Sequence, residues 1–385
     1  MELDLNNIRE QLDVIDNQVT ELFIKRMQLS AQVAQYKAEH NMQIYVPSRE
    51  RAILQRVGDQ ASALGGDEMD EYTRLLYHTI FDLSRAYQAR LLGKDTPLVD
   101  RIRNARENTP KIFPKKGIVA CQGVEGAYSQ QACEKIFPYA NIMYFRNFDG
   151  VFNAVEKGLC QYGVLPIENS SHGSVNAVYD LMRQHNFHIV RSVKLPVQHA
   201  LLGNPGTKLS GVREIISHEQ GLGQCSAFVK SLGDVTVTVC ENTAVAAKLV
   251  SESGRTDIVA ISSYNCAELY GLEVVAEHIQ NSENNFTRFI CIAKDMAIYP
   301  GANRISIMFT LPHQPGALYR MIARFFAMGL NIVKLESRPI AGRDFEFMFY
   351  FDLEASAYSD EAIRLLGELE SGSEQFAFLG CFSEV

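Results

Sequence analysis

The residues that could do chemistry fall in a few short stretches. In NNFTRF (284–289) the hydroxyl of Thr287 and the permanent cation of Arg288 stand at the mouth of FICIA, a run that reads as a buried strand. Alone, that hexapeptide is equally well a turn whose threonine caps a backbone group. GVLPIENSSHGSV sets Glu168 and Asn169 directly after a second buried run, and SHEQGLGQC supplies Ser217, Gln220 and Gln224 between a strand and a helix. Polar residues at strand ends are where open α/β sheets hold their ligands. In QGVEGAYS, Gly123 and Gly126 let the backbone come close to a ligand, and a helix starting near Ala127–Ser129 offers N–H groups to an anion. Each of these loops alone reads as a cap or an ordinary βα turn; four in one region are less easily dismissed.

A different pattern occupies the first 93 residues. Leu5, Ile8, Leu12, Ile15, Val19 and Leu22, then Leu29, Val33 and Tyr36, recur in steps of three and four, a helix-packing seam. The position this seam predicts between Leu22 and Leu29 is Arg26. A guanidinium there is costly unless paired, either with a carboxylate of a neighbouring helix or with an anion from outside. Lys37 returns to within about 20° of the same face roughly 16 Å further along, so the two cations could hold a small dianion between them. Arg9 lies about 25 Å from Arg26 on another face; only in an antiparallel dimer could it reach a partner's pocket. Arg49 and Glu50 open a second helix, and Ser84 and Gln88 share one face of a third.

The elements that must position these residues come in three textures. Residues 1–93 read as all helix, with a first helix over Leu5–His40 and breakers at Pro47, Gly58 and the glycine pair 65–66. Residues 94–116 read as a charged, proline-punctuated linker. From 117 to 298 short β-rich runs alternate with helices, an α/β pattern. From 303 to 385 the order is strand, helix, strand, strand, helix, strand, which matches the ferredoxin-like split unit.

Bulk properties narrow the function. The chain has 385 residues, 46% hydrophobic and 21% charged, with a formal charge of −8 that argues against nucleic acid as main partner. No stretch is apolar enough for a membrane span, and MELDLNNIREQLD lacks the apolar core of a signal peptide. The eight cysteines form no C-x-x-C, which suits reduced thiols in the cytoplasm. HNFH (185–188) has no neighbouring cysteine or carboxylate, so no metal is expected there.

Arg9, Arg26, Lys37, Arg49–Glu50 and Ser84-x-x-x-Gln88 resemble the all-helical chorismate mutases. QGVEGAYS, PIENSSHGSV, SHEQGLGQC and NFTRF resemble the prephenate dehydratase domain, whose signature is the Thr-Arg-Phe element. PGALYRMIARFF and LNIVKLESRP resemble the ACT module that binds amino acids. Together, in this order, they resemble the bifunctional P-protein family, chorismate mutase/prephenate dehydratase. The resemblance implies a helical mutase domain, then a two-lobed, periplasmic-binding-protein-like dehydratase domain with NFTRF returning the chain to the first lobe, then an ACT domain. It implies that two arginines, one from a partner chain, hold the carboxylates of chorismate, and that a lysine and a glutamine bond its ether oxygen. It implies Glu168, Asn169, Ser217, Gln224 and Thr287 as catalytic candidates toward prephenate, with Thr287 in a relay ending at Glu168. Arg288 would hold a substrate carboxylate or brace the loop. It further implies a phenylalanine site from Gly316, Ala317, Leu318, Glu336, Ser337, Arg338 and Pro339, a homodimer or larger assembly, and no cofactor. One position departs: Val46 stands where the family usually has an acidic residue, leaving Glu50 as partner for the ring hydroxyl. A dehydratase whose helical domain only dimerises, and a non-catalytic aromatic amino-acid sensor, are the alternatives.

Overall fold

Asp4 caps the first helix, α1 (Leu5–Glu39), by accepting from the Asn6 amide at 3.0 Å. The computed structural model describes residues 4–40, 42–92, 96–340, 342–343 and 346–385. Helix α2 (Pro47–Gly65) starts with proline in its first turn and ends at Gly66, where φ is +85°. Helix α3 (Asp67–Leu92) packs on both. Gly58 is no breaker: it is buried inside α2, where a Cβ would lie 2.2 Å from the Arg74 and Asp70 side chains. The apolar seam of α1 stays uncovered, with Leu5, Ile8, Leu12, Ile15, Val19 and Leu22 between 38% and 66% exposed.

The expected linker is in part a helix, α4 (Pro97–Asn108), in which Leu98, Val99 and Ile102 are buried. Its start at 94 lies outside the described residues. Nor is KIFPKK fully solvated: Phe113 is buried, with its ring against Phe137 and Tyr299 and the Arg191 guanidinium 3.8 Å from its centroid.

The α/β region builds two sheets. The first takes β1 (Lys116–Gln122), then α5 (Tyr128–Ile136), β2 (Tyr139–Phe145), α6 (Phe148–Glu156), β3 (Tyr162–Asn169), the two-residue β4 (Gly173–Ser174), α7 (Asn176–Met182) and β5 (His188–Pro196). The chain then crosses into a second sheet of β6 (Ala200–Gly203), β7 (Glu214–Ser217), β8 (Thr236–Val239), β9 (Ile258–Ser262) and β10 (Glu273–Ala276). The helices α8 (Glu219–Gln224), α9 (Ser226–Ser231), α10 (Thr243–Ser253) and α11 (Asn265–Tyr270) connect its strands. It returns to the first sheet as β11 (Phe286–Ala293), giving strand orders β2-β1-β3-β11-β5 and β10-β6-β9-β7-β8. NFTRF thus does carry the chain back to the first lobe, and Thr287 and Arg288 lie inside the returning strand. The two crossing segments bond each other, Val197 N to Asn285 O at 2.8 Å and Ile279 N to His199 O at 3.3 Å.

The tail follows as β12 (Arg304–Thr310), α12 (Ala317–Ala327), β13 (Asn331–Pro339), β14 (Phe347–Glu354), α13 (Asp360–Gly372) and β15 (Phe376–Phe382), the expected βαββαβ order. Its sheet runs β13-β14-β12-β15. The chain divides into two compact units. One is the part up to Arg101 with Thr310–Asn331 and Asp360–Phe376; the other is Ile102–Phe309 with Ile332–Ser359 and Ala377–Val385. Within the second unit, Met308, Met348, Tyr350, Leu379 and Phe382 join one apolar core with Phe152, Val178 and Tyr179 of the first lobe. Among the described residues no helix is long and apolar enough to cross a membrane.

Candidate active sites

In the helical unit, α1 and α3 face each other and bring Arg26 to Ser84. Arg26 Nη1 donates to Ser84 Oγ at 2.5 Å, and its guanidinium lies 5.7 Å from the centre of the Phe81 ring. Its direct partner is thus a hydroxyl and no carboxylate. One turn along α3, Gln88 is buried, and its Oε1 finds no hydrogen-bond partner. A buried amide oxygen left unpaired is costly. Lys37 Nζ donates to the Ile44 carbonyl at 2.5 Å. Burial lowers the pKa of both Arg26 and Lys37, and in each case the carboxylate of Glu50 opposes that shift. Glu50 therefore lies within electrostatic reach of both cations. Five of the expected residues, Arg26, Lys37, Glu50, Ser84 and Gln88, are thereby gathered on the three facing helices.

Arg9 and Arg49 are exposed, and Arg9 sits 17 residues from Arg26 on one helix. Within one chain it does not reach the cluster. Sequence reasoning missed Arg85, which pairs with Glu50 and Asp82; those two carboxylates outweigh its burial and raise its pKa. Its i, i+3 spacing from Asp82 was a readable signal. Val46 caps α2 with no side-chain hydrogen bond, so the only carboxylate at this helix start is Glu50.

In the second unit, the end of β3 meets the start of β11. Thr287 pairs with Asn169 and Arg288 with Glu168 across the two strands. Side chains alternate between sheet faces, so these pairs point to opposite sides.

On one face, Asn169 Nδ2 donates to Thr287 Oγ1 at 2.9 Å and to Asn285 Oδ1 at 2.8 Å. Asn169 Oδ1 accepts from the amides of Ser171 at 2.9 Å and His172 at 3.0 Å. The Thr287 hydroxyl accepts from Asn169, so its own proton points elsewhere. The His172 ring continues the line, its Nδ1 3.3 Å from Asn169 Oδ1 and 3.2 Å from Gln224 Nε2 on the other lobe. Gln224 Oε1 lies 2.7 Å from His199 Nε2. Burial lowers the His199 pKa, against the opposing hydrogen bond to Gln224 Oε1, which the ring donates from Nε2. His199 Nδ1 and Asn285 Nδ2 are buried without hydrogen-bond partners.

On the opposite face, Arg288 is 7% exposed, its Nε 2.7 Å from Glu168 Oε1 and its Nη1 2.6 Å from Asp352 Oδ2 on β14. Lys334 Nζ of β13 lies 2.9 Å from Glu168 Oε2. Burial works against the charge of Glu168, but Arg288 and Lys334 together hold its carboxyl below the ordinary value of 4.5.

Two expectations are corrected, and of the two alternatives for Arg288 the bracing one fits its ion pairs. The relay from Thr287 cannot end at Glu168, which faces the other way and is kept ionised by two cations. Arg288 braces the strand and is not free for a substrate carboxylate. Ser217 is fully buried, its hydroxyl donating to the Ile261 carbonyl at 2.7 Å, so it ties β7 to β9. A cavity of about 240 Å³ does adjoin Glu168, lined also by Lys194, Phe286, Arg304 and Lys334, but Thr287 is not in its wall. Gly126 is required by packing as well: at φ +89°, a Cβ would meet Cys266 Sγ of the other lobe at 2.9 Å. His172, His199 and Asn285 were missed, although His172 stands inside the ENSSHGSV loop.

Because the folded pKa of Glu168 is below its unfolded value, its stabilisation is present above pH 4.5 and is lost as pH falls through the lowered value. Melting temperature measured against pH should drop on this acid side, with a shallower drop in Glu168→Gln. An acid limb of equal steepness in that variant would contradict the assignment.

For the tail, Gly316 caps α12 at φ +77°, next to Ala317 and Leu318. The side chains of β13 alternate in burial: Lys334, Glu336 and Arg338 are half-buried, whereas Leu335, Ser337 and Pro339 are exposed. Glu336 accepts from Ser174 Oγ, and Arg338 is bidentate to Asp180 at 3.0 and 2.8 Å. Gly316–Leu318 and Glu336–Pro339 belong to different units.

Residues 8–89 match the family model of chorismate mutase type II, and residues 119–297 match that of prephenate dehydratase. An arogenate dehydratase/prephenate dehydratase 2 of Arabidopsis thaliana is 38% identical over 311 residues, 77% of this chain and 81% of that protein. A bifunctional chorismate mutase/prephenate dehydratase of Aquifex aeolicus is 28% identical over 382 residues, 98% of each. The crystal structure of a prephenate dehydratase from Arthrobacter aurescens in complex with L-Phe superposes at TM-score 0.63 and 26% identity, over 69% of this chain and 90% of that one.

Proposed function

The chain belongs to the prephenate dehydratase family, with a chorismate mutase type II domain ahead of it, and from that premise we propose how its two sites divide the work. It is a bifunctional enzyme of phenylalanine biosynthesis that rearranges chorismate to prephenate and converts prephenate to phenylpyruvate. We assign the first step to residues 1–93, the second to 117–298 and regulation to an ACT domain over 303–385.

The rearrangement needs neither nucleophile nor proton transfer. Arg26 holds a carboxylate, Arg9 of a partner chain holds the other, and Lys37 with Gln88 bonds the ether oxygen as it gains charge. Arg49, Glu50 and Ser84 complete the wall. The uncovered α1 seam supports a homodimer built on that helix. Light scattering should give a dimer or larger for the wild-type chain. Leu22→Asp should shift it toward monomer and lower mutase turnover more than tenfold, with dehydratase turnover kept; a monomer of full mutase activity would contradict the dimer reading.

In the second step the ring carboxylate leaves as carbon dioxide, its bonding electrons aromatise the ring, and the ring hydroxyl departs, taking up a proton to become water. The observation that carries this assignment is the Asn169–Thr287 hydrogen bond, which turns the threonine proton outward as a donor to that leaving oxygen. Behind it Asn169 fixes the threonine and is itself held by the amides of Ser171 and His172, and the proton that leaves in the water is restored to the threonine oxygen from solvent. Gln224, fixed by His199, bonds the substrate from the other lobe. We read the enzyme as cytoplasmic, supported by its eight free thiols. Phenylalanine as feedback effector is supported by the phenylalanine-bound relative. Ultraviolet-monitored turnover by the purified chain should show chorismate consumed and phenylpyruvate formed, with phenylpyruvate formation slowed by millimolar phenylalanine. Turnover of prephenate but not chorismate would reduce the helical domain to an assembly role.

A further inference from the structure

We propose that Lys334 is a two-position switch that carries the effector state of β13 to the dehydratase site by exchanging Glu168 for Glu336. The inference rests on the reading of phenylalanine as effector and names the side chain through which it acts. Lys334 Nζ lies 2.9 Å from Glu168 Oε2 and 3.7 Å from Glu336 Oε2, with Ser174 Oγ at 2.8 Å. The ammonium thus sits between two carboxylates on different elements, nearer to the one beside the catalytic strand. Ser174, which donates to Glu336, pairs with Glu168 across β3 and β4, so the hydroxyl is held at the midpoint of the exchange.

Each carboxylate is tied to one of the two functions. Glu168 shares a peptide bond with Asn169 and holds Arg288, which in turn shares one with Thr287. Glu336 belongs to the Glu-Ser-Arg-Pro element assigned to the effector. A ligand that draws Glu336 or shifts β13 changes which carboxylate Lys334 satisfies. Losing Lys334 leaves Glu168 with Arg288 alone, and Arg288 is already anchored at its far end by Asp352. The adjustment then falls on the Glu168–Asn169 backbone, and the Asn169 amide that orients Thr287 moves with it. The cavity beside Lys334 and Glu168 gives the side chain room to swing without repacking a core. This is a discrete element whose two arrangements both sites bias, which is what coupling requires.

The test compares the wild-type full-length chain with Lys334→Met and Lys334→Arg. Basal dehydratase and mutase rates, inhibition by phenylalanine and calorimetric phenylalanine binding are measured on each. In Lys334→Met, whose Glu168 has permanently lost the ammonium, we expect the mutase rate within about threefold of wild type and phenylalanine binding retained, while the dehydratase rate without effector sits at the level that phenylalanine-saturated wild type reaches and no longer responds to phenylalanine; Lys334→Arg should inhibit as wild type. Inhibition of Lys334→Met at the wild-type concentration overturns the switch. So does loss of phenylalanine binding, which would put Lys334 in the effector site itself, a full wild-type dehydratase rate, which would leave the Lys334–Glu168 contact without effect, or a rate well below that of phenylalanine-saturated wild type, which would make Lys334 a support of catalysis. A wild-type chain that binds and responds to no phenylalanine refutes the effector reading instead, and the switch falls with it.

Discussion

Thr287→Ala should convert chorismate to prephenate at the wild-type rate and leave the prephenate standing. The substitution removes one hydroxyl from the start of β11, where the backbone is held by pairing to β3 and β5 and by Arg288 on the other face. The strand therefore keeps its place and only the donor is lost. Deleting a single preorganised donor to a charge-developing oxygen lowers turnover roughly 10²–10³-fold, about 2.7–4 kcal/mol of barrier. Because Thr287 touches the Asn169 amide, the variant also frees that amide; Thr287→Ser, which restores a hydroxyl, should recover most of the rate. Dehydratase kcat and mutase kcat, measured on the same preparation, decide it. Near-normal phenylpyruvate formation by Thr287→Ala would remove the threonine from the chemistry.

The mirror experiment is Lys37→Ala, with Gln88→Leu beside it. These two side chains are assigned to the oxygen that gains negative charge as the ether bond breaks. The lysine is half-buried, so its charge acts in a poorly screened setting, and the glutamine oxygen is already without a partner. Lys37→Ala should lower mutase kcat roughly 10²–10³-fold, with prephenate turnover unchanged. Gln88→Leu should have a smaller effect in the same direction, and its chain should be at least as stable as wild type, because it removes a buried, unpaired amide oxygen and puts an apolar group of similar volume in its place. A mutase rate indifferent to Lys37 would leave the helical unit with an assembly role only.

How much of this was legible beforehand differs by element. Arg26 was conspicuous because a cation interrupted an apolar period, and periodicity is local information. Ser84 and Gln88 followed from a shared helix face for the same reason, and Glu50 from its place at a helix start. The relation of Glu168 to Thr287 was not local: it depends on β3 pairing with β11, strands separated by more than a hundred residues, and on the register of that pairing. Once the register is known, alternation alone puts Glu168 and Arg288 on one face and Asn169 and Thr287 on the other. Read without it, four adjacent polar residues looked like one site. Helix α4 was hidden because it buries only the stripe of Leu98, Val99 and Ile102 and carries charge at Asp100, Arg101, Arg103, Arg106 and Glu107. Nothing local singles out His172 or His199 in the sequence, and their contacts with Asn169 and Gln224 need both lobes in place. The alternation along β13 likewise assigns Glu336 and Arg338 to the dehydratase lobe, which the motif by itself could not reveal.

The central claim is that one polypeptide holds two chemically independent pockets. Its most direct test is to mix equal amounts of the Thr287→Ala and Lys37→Ala chains and follow phenylpyruvate from chorismate. Neither variant alone should make appreciable product, and the mixture should make it after a lag in which prephenate accumulates. A mixture as inactive as its components, with each variant found to have lost both half-reactions, would contradict the account.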